Sequence, residues 1–148
     1  MNRYILSSIA QIRKCLQSFL NEEFKALNLR SSELFFMQIL YNGGDKAQIE
    51  ISRTMECDKA HIHRMVLKLL DKKLIKFNEN EQDHIKNNKL TLTEEGKKIS
   101  SKFTSIIEKW NKNLIKGISK DELNTVNIVI QKLLKNAYDY KKMELKNV

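Results

Sequence analysis

Between Lys59 and Lys73 the chain carries lysine, arginine and histidine side chains, and one alanine, at a spacing suited to a polyanion. Read as a helix, at about 100° per residue, Ile62, Met65, Val66, Leu69 and Leu70 fall on one face. The opposite face holds Ala60, Arg64, Leu67, Lys68 and Asp71, with His61 and His63 on the flanks. Arg64 can fork onto a guanine edge or pair with a phosphate, whereas Lys59, Lys68, Lys72 and Lys73 suit phosphates. Ala60 is small enough to let the start of the helix approach a base edge closely. A solvated amphipathic helix with basic residues would look the same, so the elements around it must decide.

Those elements form a recognisable order. From Gln48 the chain reads as a short helix, Met55-Glu56-Cys57-Asp58 as a short break, and Asp58 as the N-cap of the basic helix. The stretch Gln48–Leu74 is thus a helix-turn-helix, whose second helix can lie in a major groove. Asp45 with Gln48 reads as a capping box for the first of these helices, and Ile49, Ile51, Ser52 and Met55 as its inward residues. Leu74–Phe77 and Lys89–Leu92 read as paired strands around a polar loop. A hairpin directly after the basic helix makes a winged helix, and its tip offers Lys86, Asn87, Asn88 and Lys89 to a groove or backbone.

Long helices flank this unit. Over residues 1–26, Ile5, Ile9, Ile12, Leu16, Phe19 and Leu20 form a stripe that serves either the protein's own core or a second subunit. Cys15 lies beside it and reads as a semi-buried structural thiol. Asn28-Leu29-Arg30 is a connector, after which Ser31 or Ser32 can cap a helix rich in Leu34, Phe35, Phe36, Met37, Ile39 and Leu40, the centre of the core. Gly43-Gly44 ends it. Thr93 caps a fifth helix striped by Ile99, Phe103, Ile106, Ile107, Trp110 and Leu114, closed by Gly117. Ser119 with Glu122 is a capping box for a sixth, with Leu123, Val126, Ile130, Leu133, Leu134 and Ala137 on one side and a charged end expected to fray.

Composition sets the outer bounds. The chain has 148 residues, no proline, four glycines and a formal charge of +9, which suits long helices and polyanionic partners. The excess is +1 over residues 1–57 and +4 over each of 58–102 and 103–148, so it is not concentrated on the basic helix. No apolar run reaches the roughly 20 residues of a membrane span, and the N-terminus lacks a signal-peptide core, which together imply a cytoplasmic protein without a membrane partner. Two cysteines make neither a disulfide framework nor a metal signature. His61 and His63, two apart, point to different helix faces, unlike a two-histidine metal site. No nucleophile–base pairing, phosphate loop or cofactor motif suggests an enzyme.

With helix-turn-helix, hairpin and flanking helices in place, the chain resembles the MarR family of transcriptional regulators over about Leu27 to Ala137. LRSSELFFMQIL stands for the family's second helix, and AQIEISRTMECDKAHIHRMVLKLLDKKLI for its helix-turn-helix. Asp58 to Arg64 occupy the place of a usual D-(K/R)-S-T-V-T-R pattern, and LTLTEEGKKI follows the wing. Departures from the pattern are Ala60, His61 and His63 for the usual Ser/Thr, Lys73 for a common glycine, and a wing with His84-Ile85 after Asp83 in place of the expected arginine. Lys86 is the substitute there, a point charge where arginine would offer a fork.

The resemblance implies a mainly α fold with a small β-hairpin wing, its winged helix-turn-helix core flanked by long N- and C-terminal dimerisation helices. It implies one domain over 1–148, with 29–98 the DNA-binding lobe and 1–28 plus 99–148 the dimerisation region. The implied function is a ligand- or redox-responsive repressor, a homodimer on a pseudo-palindromic duplex operator. Lys59, Ala60, His61, His63, Arg64, Lys68, Lys86, Asn87, Asn88 and Lys89 are the expected DNA contacts. A small aromatic effector would sit among Ile9, Phe36, Met37, Tyr41 and Trp110, and Cys57, beside a helix start that favours a thiolate, is the redox candidate. A winged helix that docks an acidic protein partner is the alternative from another class.

Overall fold

The computed structural model describes residues 2–78 and 88–146, with side chains over 4–78 and 88–144. Its elements are α1 (Asn2–Glu23), a 3-10 turn (Lys25–Leu27), α2 (Ser31–Gly43), α3 (Gln48–Met55), α4 (Lys59–Asp71), β1 (Ile75–Phe77), β2 (Leu90–Leu92), α5 (Glu94–Leu114) and α6 (Lys120–Lys146). The expected mainly helical winged helix-turn-helix is present. Two compact units divide the chain, residues 1–105 and 106–148.

In the first unit the core is built on α2, as its apolar density dictates. Leu34, Phe36, Met37 and Leu40 are buried with Leu20 and Phe24 of α1, Ile51 of α3, Ile62, Met65, Val66 and Leu69 of α4, and Ile99 and Phe103 of α5. Phe103 meets Phe35 edge-on, with ring centres 5.2 Å apart, and Phe24 at 6.3 Å. The start of α1 contributes nothing to this core. Tyr4, Ile5, Leu6, Ile9 and Ile12 are exposed, and so is Cys15, against the semi-buried place expected for it. Its position one step off the stripe turns it to solvent.

Several helix starts differ from expectation. Neither Ser31 nor Ser32 caps α2. Its first amide, of Ser31, donates instead to Asn21 Oδ1 of α1 (3.0 Å), and Glu33 Oε2 accepts the Arg30 amide (2.8 Å). At α3 the expected Asp45–Gln48 box is replaced by Glu50, whose Oε2 accepts the Ala47 amide at 2.7 Å. Asp45 accepts the Asn78 side-chain amide (2.5 Å) and so joins the α2–α3 connector to the end of β1. Ile49, expected inward, is exposed, and the inward contact of α3 falls to Ile51 and Ser52.

The sheet is antiparallel, with Ile75 opposite Leu92 and Phe77 opposite Leu90. A further bridge joins Lys46 to Leu90 through a reciprocal pair of amide bonds (3.1 and 2.8 Å), fixing the base of the wing to the α2–α3 connector. Thr93 caps α5 as expected, its Oγ1 accepting the Gly96 amide (3.1 Å) and donating to the Lys73 carbonyl (2.8 Å). Gly96 is required by close approach, because a Cβ there would lie 2.1 Å from the Leu74 carbonyl oxygen.

In the second unit α5 ends at Leu114 and Gly117 turns the chain at a φ of 82°. The expected box is formed. The Ser119 amide donates to Glu122 Oε2 (2.8 Å) and the Glu122 amide to Ser119 Oγ (3.2 Å). The charged end of α6 is helical to Lys146, not frayed. Val126, Ile130, Leu133 and Leu134, expected inward, are exposed, as are Ile128 and Val129. Among the described residues no helix is long and apolar enough to cross a membrane.

Candidate nucleic-acid interface

Local chemistry sets α4 at a defined angle to α3. Glu56 takes a left-handed conformation (φ 53°) that ends α3, and Ser52 closes the turn by donating its hydroxyl to the Cys57 carbonyl (2.7 Å) while accepting the Cys57 amide on its own carbonyl (3.2 Å). Asp58 then caps α4, Oδ1 accepting the His61 amide at 2.7 Å, with its carboxylate at the positive end of the helix. Ile62, Met65, Val66 and Leu69 seat the helix on the core. The remaining face projects Lys59, Ala60, His63 and Arg64, all exposed, with His61 half-buried beside them. Two light contacts order this face. Arg64 Nη2 lies 3.4 Å from His61 Nδ1, and His63 Nδ1 lies 3.5 Å from Gln48 Oε1 of α3.

Leu67 is 53% exposed on the same helix, an apolar side chain able to meet a thymine methyl. Lys68 and Lys72 stand differently from the expectation that they are available to phosphates. Lys68 Nζ donates to Glu33 Oε1 at 2.8 Å, and Lys72 Nζ to the Leu27 carbonyl at 2.9 Å. Both tie α4 to the segment entering α2. Lys73 has a φ of 56°, so the position where glycine is common does need a left-handed residue, and lysine adopts it.

In the wing, Asn88 is exposed and Lys89 half-buried, the Lys89 carbonyl accepting the Asn78 amide at 2.8 Å. Lys86 and Asn87, with Asp83, His84 and Ile85, lie outside the described residues. The structure thus brings Lys59, Ala60, His61, His63 and Arg64 together on one helix. Sequence reading missed Gln48, Glu33 and Asp45 as partners. Glu33 had a local signal, an acid in the first turn of α2, but its distant partner Lys68 had none.

Four of the effector-site candidates belong to the first unit and Trp110 to the second. Phe36 and Met37 are closed in the core, Ile9 and Tyr41 are exposed, and Trp110 is half-buried in the second unit. A groove of about 870 Å³ instead lies between α1, α2 and α3, bordered by Arg13, Leu16, Phe35, Gln38, Lys46 and Met55. Gln38 Nε2 donates to Thr104 Oγ1 (2.9 Å), and its Oε1 is buried without a protein partner. Cys57 is half-buried, its Sγ 3.5 Å from the Met55 carbonyl oxygen.

A winged helix with a long helix on each side, and with the hairpin directly after α4, is shared with solved structures. A MarR-family transcriptional regulator from Listeria monocytogenes, complexed with 26mer DNA, superposes with a TM-score of 0.80 at 25% identity, over 90% of this chain and 89% of that one. The fold is that of the MarR family of transcriptional regulators. Staphylococcus aureus MarR, in complex with salicylate and kanamycin, gives a TM-score of 0.80 at 16% identity, over 93% of both chains. By sequence, an uncharacterized HTH-type transcriptional regulator of Bacillus subtilis (strain 168), YybA, is 26% identical over 132 residues, covering 89% of this chain and 87% of the relative. No family model matches the chain. Within the MarR fold, α4 of this chain is the helix after the turn and β1–β2 the base of the wing.

Proposed function

We propose that the chain is a transcriptional regulator that binds duplex DNA sequence-specifically through α4. The observation that carries this is the exposed face of α4, where Lys59, Ala60, His63 and Arg64 project together from a helix seated by its opposite side and capped by Asp58. The DNA in the Listeria relative supports it. Lysines and the wing hold phosphates, and Arg64 reads bases. The exposed apolar faces of α1 (Ile5, Ile9, Ile12) and of α6 (Val126, Ile130, Leu133) are each covered by a second copy of the chain, so that two α4 helices reach half-sites about one DNA turn apart. The regulator acts as a repressor, and its state changes when a small aromatic effector fills the groove beside Gln38, a reading supported by the salicylate in the S. aureus relative. Oxidation of the Cys57 thiol to a sulfenic acid by a peroxide, which is itself reduced to water or an alcohol, in the turn that aims α4, is the second route to release.

The test is duplex binding by the dimer with Arg64→Ala as the probe. Loss of a base-reading arginine weakens specific binding by about 1–3 kcal/mol and relaxes sequence preference. Unchanged affinity and unchanged preference in Arg64→Ala would show that bases are read elsewhere.

A further inference from the structure

Lys68 and Lys72 sit one helical turn apart on the same edge of α4, and both reach back to residues 27–33. Lys72 is held by a backbone carbonyl. Lys68 is held by Glu33, whose side chain is only 8% exposed, against 31% for Lys68. Glu33 is committed on both oxygens, Oε1 to Lys68 and Oε2 to the Arg30 amide that opens α2. A groove lined by Arg30, His61, Arg64 and Lys68 runs over this pair, so three cations and a histidine lie around one buried acid. An ammonium on a flexible stem in such surroundings would otherwise turn to the nearest polyanion.

We infer that Glu33 is a positioning residue for DNA reading: it withholds Lys68 from the phosphates and fixes the rotation of α4 about its axis against α2. This rests on the DNA-binding reading above. A withheld lysine contributes no released counterion, so the salt dependence of binding reports it directly. Its charge is spent on orienting the helix that carries Ala60, His63 and Arg64, which raises discrimination at the expense of non-specific affinity.

The substitution Glu33→Gln keeps the shape and an oxygen for the Arg30 amide but removes the charge that holds Lys68. Binding to a duplex of arbitrary sequence is measured against salt concentration for the full-length protein. The slope of log affinity on log salt should steepen by about 0.9 per copy in Glu33→Gln, about 1.8 for the two copies on one duplex, the increment of one added phosphate contact each. In Glu33→Gln/Lys68→Gln it should return to the wild-type value. A merely structural loosening would not steepen the slope and would not be cancelled by removing Lys68. An unchanged or shallower slope in Glu33→Gln overturns the inference, as does a steepened slope that persists in the double variant. Should Glu33→Gln fail to fold, Lys68→Gln alone decides. A slope equal to the wild type's supports a withheld lysine, and one shallower by about 0.9 per copy, about 1.8 for the dimer, makes Lys68 a phosphate ligand. If the wild type binds no duplex at low salt, the DNA-binding reading itself falls, and the inference with it.

Discussion

Replacing Gly96 with alanine places a methyl carbon 2.1 Å from the Leu74 carbonyl oxygen, 3.1 Å from the carbon of that carbonyl and 3.2 Å from Leu92 Cδ2. Carbon–oxygen contacts become favourable only at about 3.3 Å, so the first turn of α5 must move more than about 1 Å from the base of β1. That carbonyl already accepts the Thr93 amide at 3.0 Å and lies 3.2 Å from the Thr93 hydroxyl, which donates to the Lys73 carbonyl at 2.8 Å. Two bonds worth about 1 kcal/mol each are therefore stretched or lost. Overpacking adds about 1–3 kcal/mol. The expected destabilisation is about 3–5 kcal/mol, read by urea unfolding and as a fall of roughly 10 °C in Tm. Gly43→Ala is the internal control. A Cβ there meets only the flexible end of Lys46, with Cε at 3.2 Å, inside a helix that favours alanine, and stability should stay within about 1 kcal/mol of wild type. Equal, small effects at both glycines would refute the claim that the wing base and α5 are locked by this contact.

Other outcomes follow from the capping and turn geometry. Asp58→Ala removes the carboxylate that accepts the His61 amide, so stability should fall by about 1 kcal/mol in denaturant titration, with weaker duplex binding in anisotropy titration. At Lys73, held at a φ of 56°, substitution by valine should cost about 1–2 kcal/mol more than substitution by glycine; equal unfolding midpoints would deny the left-handed requirement. The Ser119 amide and hydroxyl hold the Glu122 carboxyl below the ordinary carboxylate range. Its pKa is lower folded than unfolded, so its contribution is present above the ordinary carboxylate value and is lost as pH falls through the folded one. Circular dichroism of wild type should therefore show an acid-linked loss of stability that is smaller in Glu122→Gln.

The parts legible in the sequence were those whose partners lie within one helical turn. Asp58 with the His61 amide, Ser119 with Glu122, and Thr93 with the Gly96 amide are contacts three residues apart, and residue type and spacing determine them. Thr93 and Lys73 also show how the same short segment fixes the exit from α4. What could not be read depended on tertiary neighbours. Ser31 lost its expected capping role because Asn21, ten residues earlier, supplies the acceptor. Asp45 was drawn from α3 to Asn78, 33 residues later, and Lys46 was drawn into the sheet opposite Leu90. At the candidate interface, the outward set of Lys59, Ala60, His63 and Arg64 followed from helical periodicity, but periodicity is blind to Glu33, 35 residues from Lys68, which pairs with that lysine at 2.8 Å. Phe36 and Met37 are apolar enough for a pocket and equally apt for the core, and packing in α2 assigns them to the core.

Selection from a random duplex library by the purified protein, followed by footprinting of the enriched sequence, shows whether α4 reads DNA. The expected result is enrichment of an inverted repeat whose half-sites lie about one helical turn apart, protected symmetrically, with enrichment lost in Arg64→Ala. A folded protein that retains no duplex at low salt, or that enriches the same sequences with and without Arg64, would contradict it.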